Sequence, residues 1–205
     1  MKIGIVANFD KDGNLALNRP YIELAKLYGE PSVVVDSSLV TMYDWIWFPG
    51  GVDINPTLFN TSNYSSYAVN TTMDLFQIDC LKLAIKNNKR VLGICRGHQL
   101  IYYHLLLHKE STWFMQHVDR HNQSELSIPR ADVFHSVLDA HGARLFVNSM
   151  HHQAIAFPEK QIPSFVNFYA PHDGKYSIAE GFRFELGKSL VESYQWHPEE
   201  LGHLD

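Results

Sequence analysis

Val91-Leu92-Gly93-Ile94-Cys95-Arg96-Gly97-His98-Gln99 sets one cysteine between two glycines. The apolar run Val91 to Ile94 predicts a strand, and Gly97 to Leu107 predicts a helix. A residue at such a turn occupies a strained, exposed backbone position, and glycines two before and two after remove side chains that would collide. The helix aims free N–H groups and a partial positive charge at the sulfur, which favours the nucleophilic thiolate. A cysteine ending a core strand is ordinarily a small buried hydrophobe. Here the glycines, the following Arg96 and the strand-before, helix-after context favour a nucleophile at Cys95.

Upstream, Lys2 to Ala7 reads as a buried first strand and Pro20 to Tyr28 as a helix with Pro near its start and Gly29 at its end. Ser32 to Val35 and Trp45 to Phe48 read as strands, the second stopped by Pro49-Gly50-Gly51. Asn60 to Thr72 is a polar loop. Met73 to Asn87 carries Leu75, Ile78, Leu81, Leu83 and Ile85 with helical spacing. Strand and helix alternate, which argues a parallel sheet covered on both faces, with ligands beyond the carboxyl ends of its strands. Cys95 and Pro49-Gly50-Gly51 both fall at such ends. After about residue 110 the pattern loosens, with short strands expected around 144–148, 165–170, 178–184 and 190–195. No repeat or long linker divides the chain, so residues 1–205 read as one domain.

Hydrophobic residues make up 45% and charged residues 19%, the balance of an ordinary globular protein. Net charge is −5 with no basic run, which argues against a nucleic-acid partner. Cys80 and Cys95 make no disulfide framework. The first residues turn polar too soon for a signal peptide, and no apolar run approaches the ~20 residues that span a bilayer. A working thiol suits a reducing compartment, so a cytoplasmic location is expected. His104 and His108 stand four apart on an expected helix, as do His117 and His121 nearby. No Glu completes a His-Glu-x-x-His pattern, so these pairs read as a solvated or partly buried face, and no metal is expected.

A thiolate nucleophile needs a base, and the base an orienting group. Tyr194-Gln195-Trp196-His197-Pro198-Glu199 offers both. A strand leading into His197 and stopped by Pro198 would project the imidazole from a strand end. Glu199 can then reach the far ring nitrogen and fix its tautomer. Alone the tripeptide would be a surface turn; beside the Cys95 elbow it reads as the rest of a catalytic set.

Gly93-Ile94-Cys95-Arg96-Gly97-His98-Gln99 followed far downstream by Gln195-Trp196-His197-Pro198-Glu199 resembles the class I glutamine amidotransferase superfamily. Phe48-Pro49-Gly50-Gly51-Val52-Asp53-Ile54-Asn55-Pro56 resembles the Pro-Gly-Gly-x-Asp-x-x-Pro loop of γ-glutamyl hydrolases. Val147-Asn148-Ser149-Met150-His151-His152-Gln153 resembles a segment of bacterial γ-glutamyl-γ-aminobutyrate hydrolases. The resemblance spans residues 2 to about 200. It implies an α/β, flavodoxin-like three-layer sandwich with a mainly parallel central sheet and helices on both faces. It makes Cys95 the nucleophile, His197 the general base and then acid, and Glu199 the orienting carboxylate. The backbone N–H groups of Gly51 and Arg96 become the oxyanion hole, and Gln99, Ser149, Met150, His151 and His152 the glutamyl pocket. The implied reaction cleaves a γ-glutamyl amide through a thioester on Cys95 and needs no metal, nucleotide or organic cofactor.

Two departures stand out. Leu105 to Thr112 replaces the Gly-Gly-Thr-Leu turn usual after the nucleophile helix, so amine specificity does not carry over. His98 replaces an apolar residue, placing a polar group either near the site or on the helix face. Three functions follow: a hydrolase of small γ-glutamyl conjugates, a glutaminase serving a separate synthetase, or a binding protein that lost turnover. The triad residues argue against the last. A homodimer or a separate synthetase are the protein partners left open, with no membrane partner expected.

Overall fold

The computed structural model describes residues 1–205 except 11, 64, 108, 110, 111, 120, 122–126, 160, 161 and 205. Its centre is one sheet built from β1 (Lys2–Val6), β2 (Glu30–Val34), β3 (Trp45–Phe48), β4 (Arg90–Ile94), β5 (Phe114–His117), β6 (Phe134–Asp139), β7 (Arg144–Asn148), β8 (Gln153–Pro158), β9 (Val166–Pro171), β10 (Tyr176–Leu186) and β11 (Ser189–Tyr194). The order β2-β1-β3-β4-β11-β10-β9-β6-β7 forms its main path, with β8 pairing β10 and β5 pairing β8. From β2 to β11 every pairing is parallel. From β11 onward every pairing is antiparallel.

The sheet is therefore mixed, which corrects the expectation of a mainly parallel one. The cause lies in the connections. A parallel pair needs a crossover of a dozen or more residues, whereas antiparallel strands can be joined by a tight turn. β6 turns into β7 through a loop closed by Asp139 N–H to Ala143 O at 2.9 Å. β10 turns into β11 at Gly187, whose φ of 64° suits glycine.

Helices cover the parallel half on both faces. α1 (Arg19–Lys26) buries Tyr21, Leu24 and Ala25 against Ile3, Ile5, Trp45 and Trp47. On the other face, α2 (Thr71–Lys86) and α3 (Arg96–Ile101) pack Ile78, Leu81, Leu100 and Ile101 against Val6, Ile46 and Phe48. Central β3 thus sends Trp45 and Trp47 one way and Ile46 and Phe48 the other, which is why it reads as an unbroken apolar run. α2 starts where the Asn70 side chain accepts from the Met73 N–H. Its buried face carries Asp74 and Gln77, while Leu75, expected in the core, is 50% exposed. The single helix expected over 97–107 is α3 followed by one π turn at Tyr102–Leu106, with Leu107 N–H donating to Tyr102 O. The last helix, α4 (Pro198–Leu201), follows β11. Among the described residues no helix is long and apolar enough to cross a membrane.

The end of β3 and the start of α3 touch through backbone. A Cβ added at Gly97 would lie 2.2 Å from the Phe48 carbonyl oxygen. Gly97→Ala must therefore push the two elements apart, at a cost of about 1–3 kcal/mol for an overpacked core site. The check is urea unfolding: a lower midpoint with an unchanged slope is expected, and an unchanged midpoint would refute the contact.

Candidate active site

Cys95 ends β4 and stands at the N-cap of α3 with φ 50° and ψ −100°. That is sparsely populated backbone for a side chain with a Cβ, held because the surroundings over-determine it. The Cys95 N–H donates to Tyr194 O at 2.7 Å, and its carbonyl accepts from Gln99 N–H at 3.1 Å. β4 and β11 lie parallel with Ile94 opposite Tyr194, so the residues that follow each strand emerge at the same end of the sheet. His197 and Glu199 emerge there, and both line a cavity of about 380 Å³ with Cys95, Gly50 and Gly51.

His197 Nδ1 lies 2.6 Å from Glu199 Oε1. Both residues are 7% exposed. Burial disfavours the imidazolium, but interaction with Cys95 and Glu199 outweighs it and raises the His197 pKa well above the ordinary value. The His197 backbone is clamped by Asn148, which accepts from its N–H and donates to its carbonyl, each at 2.9 Å. Gln195 Nε2 points at Cys95 Sγ from 3.6 Å. Glu200 pairs with Arg130 at 2.5 Å, and Arg130 lines the same cavity.

Gly50 and Gly51 follow β3. The Gly50 N–H donates to Tyr21 Oη at 2.9 Å, while the Gly51 N–H has no hydrogen-bond partner among the described residues. Gly50 has no room for a larger residue, since a Cβ there would lie 2.8 Å from His197 Cε1, while one on Gly51 would press on the Asn8 side chain at 3.1 Å.

Of the expected glutamyl-pocket residues, Met150 lines the cavity. The others are bonded to protein groups. Gln99 Nε2 donates to Gln153 O and Gln195 Oε1, each at 3.3 Å. Ser149 Oγ meets His121, His151 Nδ1 donates to Gln153 O, and His152 Nε2 meets Asp53 Oδ2 at 3.1 Å. Of the histidine pairs, His117 closes strand β5 and His121 lies in the loop beyond, so neither is helical, and His108 lies outside the described residues.

The sequence profile of the peptidase C26 family matches residues 15–199. The chain belongs to the peptidase C26 family. It is similar to the glutamine amidotransferase-like protein YvdE of Lactococcus lactis subsp. lactis (strain IL1403), with 27% identity over 176 residues covering 81% of this chain and 71% of that protein. Its fold is similar to that of a GMP synthase component of Thermoplasma acidophilum, with a TM-score of 0.62 and 16% identity over 97% of this chain and 84% of that one. A glutamine amidotransferase of Thermotoga maritima has the same fold, with a TM-score of 0.57 and 12% identity over 97% and 76% of the two chains.

Within this peptidase C26 chain, a buried polar network that sequence reasoning missed ties the Gly50-Gly51 loop to the Cys95-Arg96 turn. The Arg96 side chain, 1% exposed, is ion-paired with Asp74 and hydrogen-bonded to Gln77. Gln77 donates to Ala7 O at 3.0 Å and to Asn8 Oδ1 at 2.9 Å, and Asn8 donates to Gly50 O at 2.5 Å. Asp74 also accepts from Asn55 N–H at 3.0 Å. The Arg96 side chain is thus spent on the scaffold. The signal for Asp74 and Gln77 was their spacing of three on the face that also carries Ile78 and Leu81.

His98 is a core residue of this peptidase C26 domain rather than a site residue. Its Nδ1 accepts from Ser193 Oγ at 2.9 Å, its Nε2–H donates to Ala179 O at 3.0 Å, and its ring stacks on Phe182. Burial pushes its pKa down from 6.5 to about 4. Between those two values the unfolded ring binds a proton that the folded ring refuses, so stability falls as pH drops through that window. The slope is at most about 1.4 kcal/mol per pH unit for one proton. His98→Gln is expected to flatten the pH dependence of the urea midpoint there, and an unaltered slope would assign the acid sensitivity elsewhere.

Proposed function

We propose that the chain is a cysteine hydrolase that cleaves the γ-glutamyl amide bond of a small conjugate, releasing glutamate and an amine. The observation that carries this reading is the meeting, at one cavity, of a thiol on a strained strand end with an imidazole hydrogen-bonded to a carboxylate. An imidazolium beside Cys95 favours negative charge on the sulfur. The sulfur then attacks the γ-carbonyl, and charge builds on the carbonyl oxygen where the Gly51 and Arg96 N–H groups would receive it. His197 gives its proton to the departing amine, leaving a γ-glutamyl thioester on Cys95. The neutral imidazole then takes a proton from water, whose oxygen displaces the sulfur to give glutamate and restore the ion pair. Glu199 holds the ring in the tautomer that both steps require.

The cavity volume lies in the range of small-molecule sites, roughly 300–1,000 Å³, which suits a conjugate larger than glutamine. Met150 serves as the wall at the glutamyl end, with Ser149, His151 and His152 fixing it through their own bonds. Gln99 acts through Gln195, which reaches the sulfur. The free, buried thiols of Cys95 and Cys80 fit a reducing cytoplasm.

The name of the Lactococcus relative, glutamine amidotransferase-like, favours a second reading, a glutaminase that hands ammonia to a separate synthetase. The deciding assay compares free glutamine with γ-glutamyl amides of polyamines, γ-aminobutyrate and nucleotides. The hydrolase reading expects a conjugate to be turned over by the chain alone with the higher kcat/KM. Rapid glutamine turnover that requires an added synthetase would replace it with the second.

A further inference from the structure

Behind Met150, on the antiparallel side of the sheet, four ionisable side chains from four separate segments converge. They are His121 beyond β5, His135 on β6, His151 between β7 and β8, and Glu180 on β10. One donor atom from each lies within 4.8 Å of those of the other three. The His121 ring centroid is 4.7 Å from that of His135 and 4.8 Å from that of His151. His135 Nε2 is 3.1 Å from Glu180 Oε1. None of the four takes part in the proposed reaction.

The hydrogen bonding leaves this cluster unfinished. His151 is 4% exposed and spends Nδ1–H on Gln153 O at 3.0 Å, so its Nε2 is a bare lone pair without a partner. Glu180 is fully buried, and its Oε2 has no partner either. Two buried acceptors cannot satisfy one another, and each unmet polar atom costs about 1–3 kcal/mol. A His135–Glu180 ion pair accounts for one carboxylate oxygen and leaves both of these acceptors bare. A cation among them would satisfy both at once. A bond from Nδ1–H to a carbonyl is also what fixes a ligating imidazole with its lone pair turned toward a metal.

We propose that His121, His135, His151 and Glu180 form a binding site for a divalent transition metal of the zinc class. Three imidazoles and one carboxylate suit zinc and its neighbours rather than calcium or magnesium, which take oxygen ligands. Four protein ligands fill a tetrahedral set, so the site is structural, with no position left for substrate. Its effect reaches the cavity by two short routes. The His151 N–H donates to His121 O and the Ser149 hydroxyl meets the same carbonyl, so the ion would fasten the segment that carries Met150. The Gln195 N–H donates to Glu180 O at 2.8 Å, and the Gln195 side chain reaches Cys95.

The full chain, stripped with a chelator and passed through gel filtration, is titrated with Zn²⁺ by calorimetry, and retained metal is counted by mass spectrometry. One equivalent is expected to stay bound and to raise the melting temperature. His151→Ala and Glu180→Gln should each weaken binding roughly 100-fold or more, beyond the loss usual for a residue that only orients a ligand. A Cys95→Ala/His197→Ala double variant should keep its equivalent. Should the ligand variants fail to fold, Co²⁺ added to the unaltered chain still decides: intense visible bands of a four-coordinate ion are expected, without a thiolate charge-transfer band. Retention of no metal, binding indifferent to both ligand variants, or a cobalt spectrum that shows thiolate or six-coordinate ligation would each overturn the proposal.

Discussion

Cys95→Ala is expected to lower γ-glutamyl hydrolysis by roughly 10⁴–10⁶-fold, the scale on which removing a nucleophile acts when base and orienting group stay in place. The loss should appear in kcat, with KM for a conjugate little changed, because the sulfur contributes to the transition state and not to binding the resting amide. The fold should be indifferent to the change. Alanine meets the same positive φ as cysteine, and the two backbone bonds of residue 95, to Tyr194 and from Gln99, involve no side chain. Equal melting temperatures together with lost turnover would thus separate chemistry from structure. Mass spectrometry of the unaltered chain quenched during turnover should find a γ-glutamyl adduct on Cys95. Full activity in the variant, or an adduct on another residue, would sink the mechanism.

Asp74→Ala should produce the largest loss of stability, about 3–5 kcal/mol, because it strands a guanidinium with almost no access to water. Arg96 is 1% and Asp74 0% exposed, and Arg96 Nε already lacks a partner. Gln77 is the remaining hydrogen-bond partner of that guanidinium, and it cannot neutralise the charge. The same substitution frees the Asn55 N–H, which anchors the loop after Gly51. Urea unfolding at neutral pH measures the cost. Asp74→Asn should also be costly, because it leaves the charge unpaired and one of the two donors, the Arg96 guanidinium or the Asn55 N–H, facing an amide NH2. A cost below about 1 kcal/mol for Asp74→Ala, the scale of an exposed pair, would show that water reaches the guanidinium.

What the sequence made legible was local. Cys95, Gly51 and His197 sit beside glycine or proline breaks at the ends of apolar runs, so their positions at strand ends followed from residue types alone. Glu199 followed from its reach to the far nitrogen of a ring two residues away. The support was not legible in the same way. Asp74 and Gln77 lie in the middle of a helix whose apolar spacing pointed to Leu75, and only the sheet beneath shows which face is inward. The antiparallel half was harder still. β8 is buried along most of its length and shows no alternation, and β6 mixes His and Ser with Val and Leu. Histidines taken in pairs four apart gave no hint of the cluster around Glu180, because its members come from four segments joined only by tertiary pairing.

The parallel pairing of β4 with β11 also sets an order of events. Gln195 follows Cys95 by 100 residues, and β11 must dock beside β4 before His197 can face the thiol. Loop closure over that length adds little to the equilibrium cost, since the penalty grows only logarithmically, but contacts so distant in sequence form slowly. During refolding the Cys95 turn can be built and buried while His197 is still absent. Regain of activity should therefore trail the recovery of secondary structure, and a half-folded chain carries a thiol that has not yet been armed.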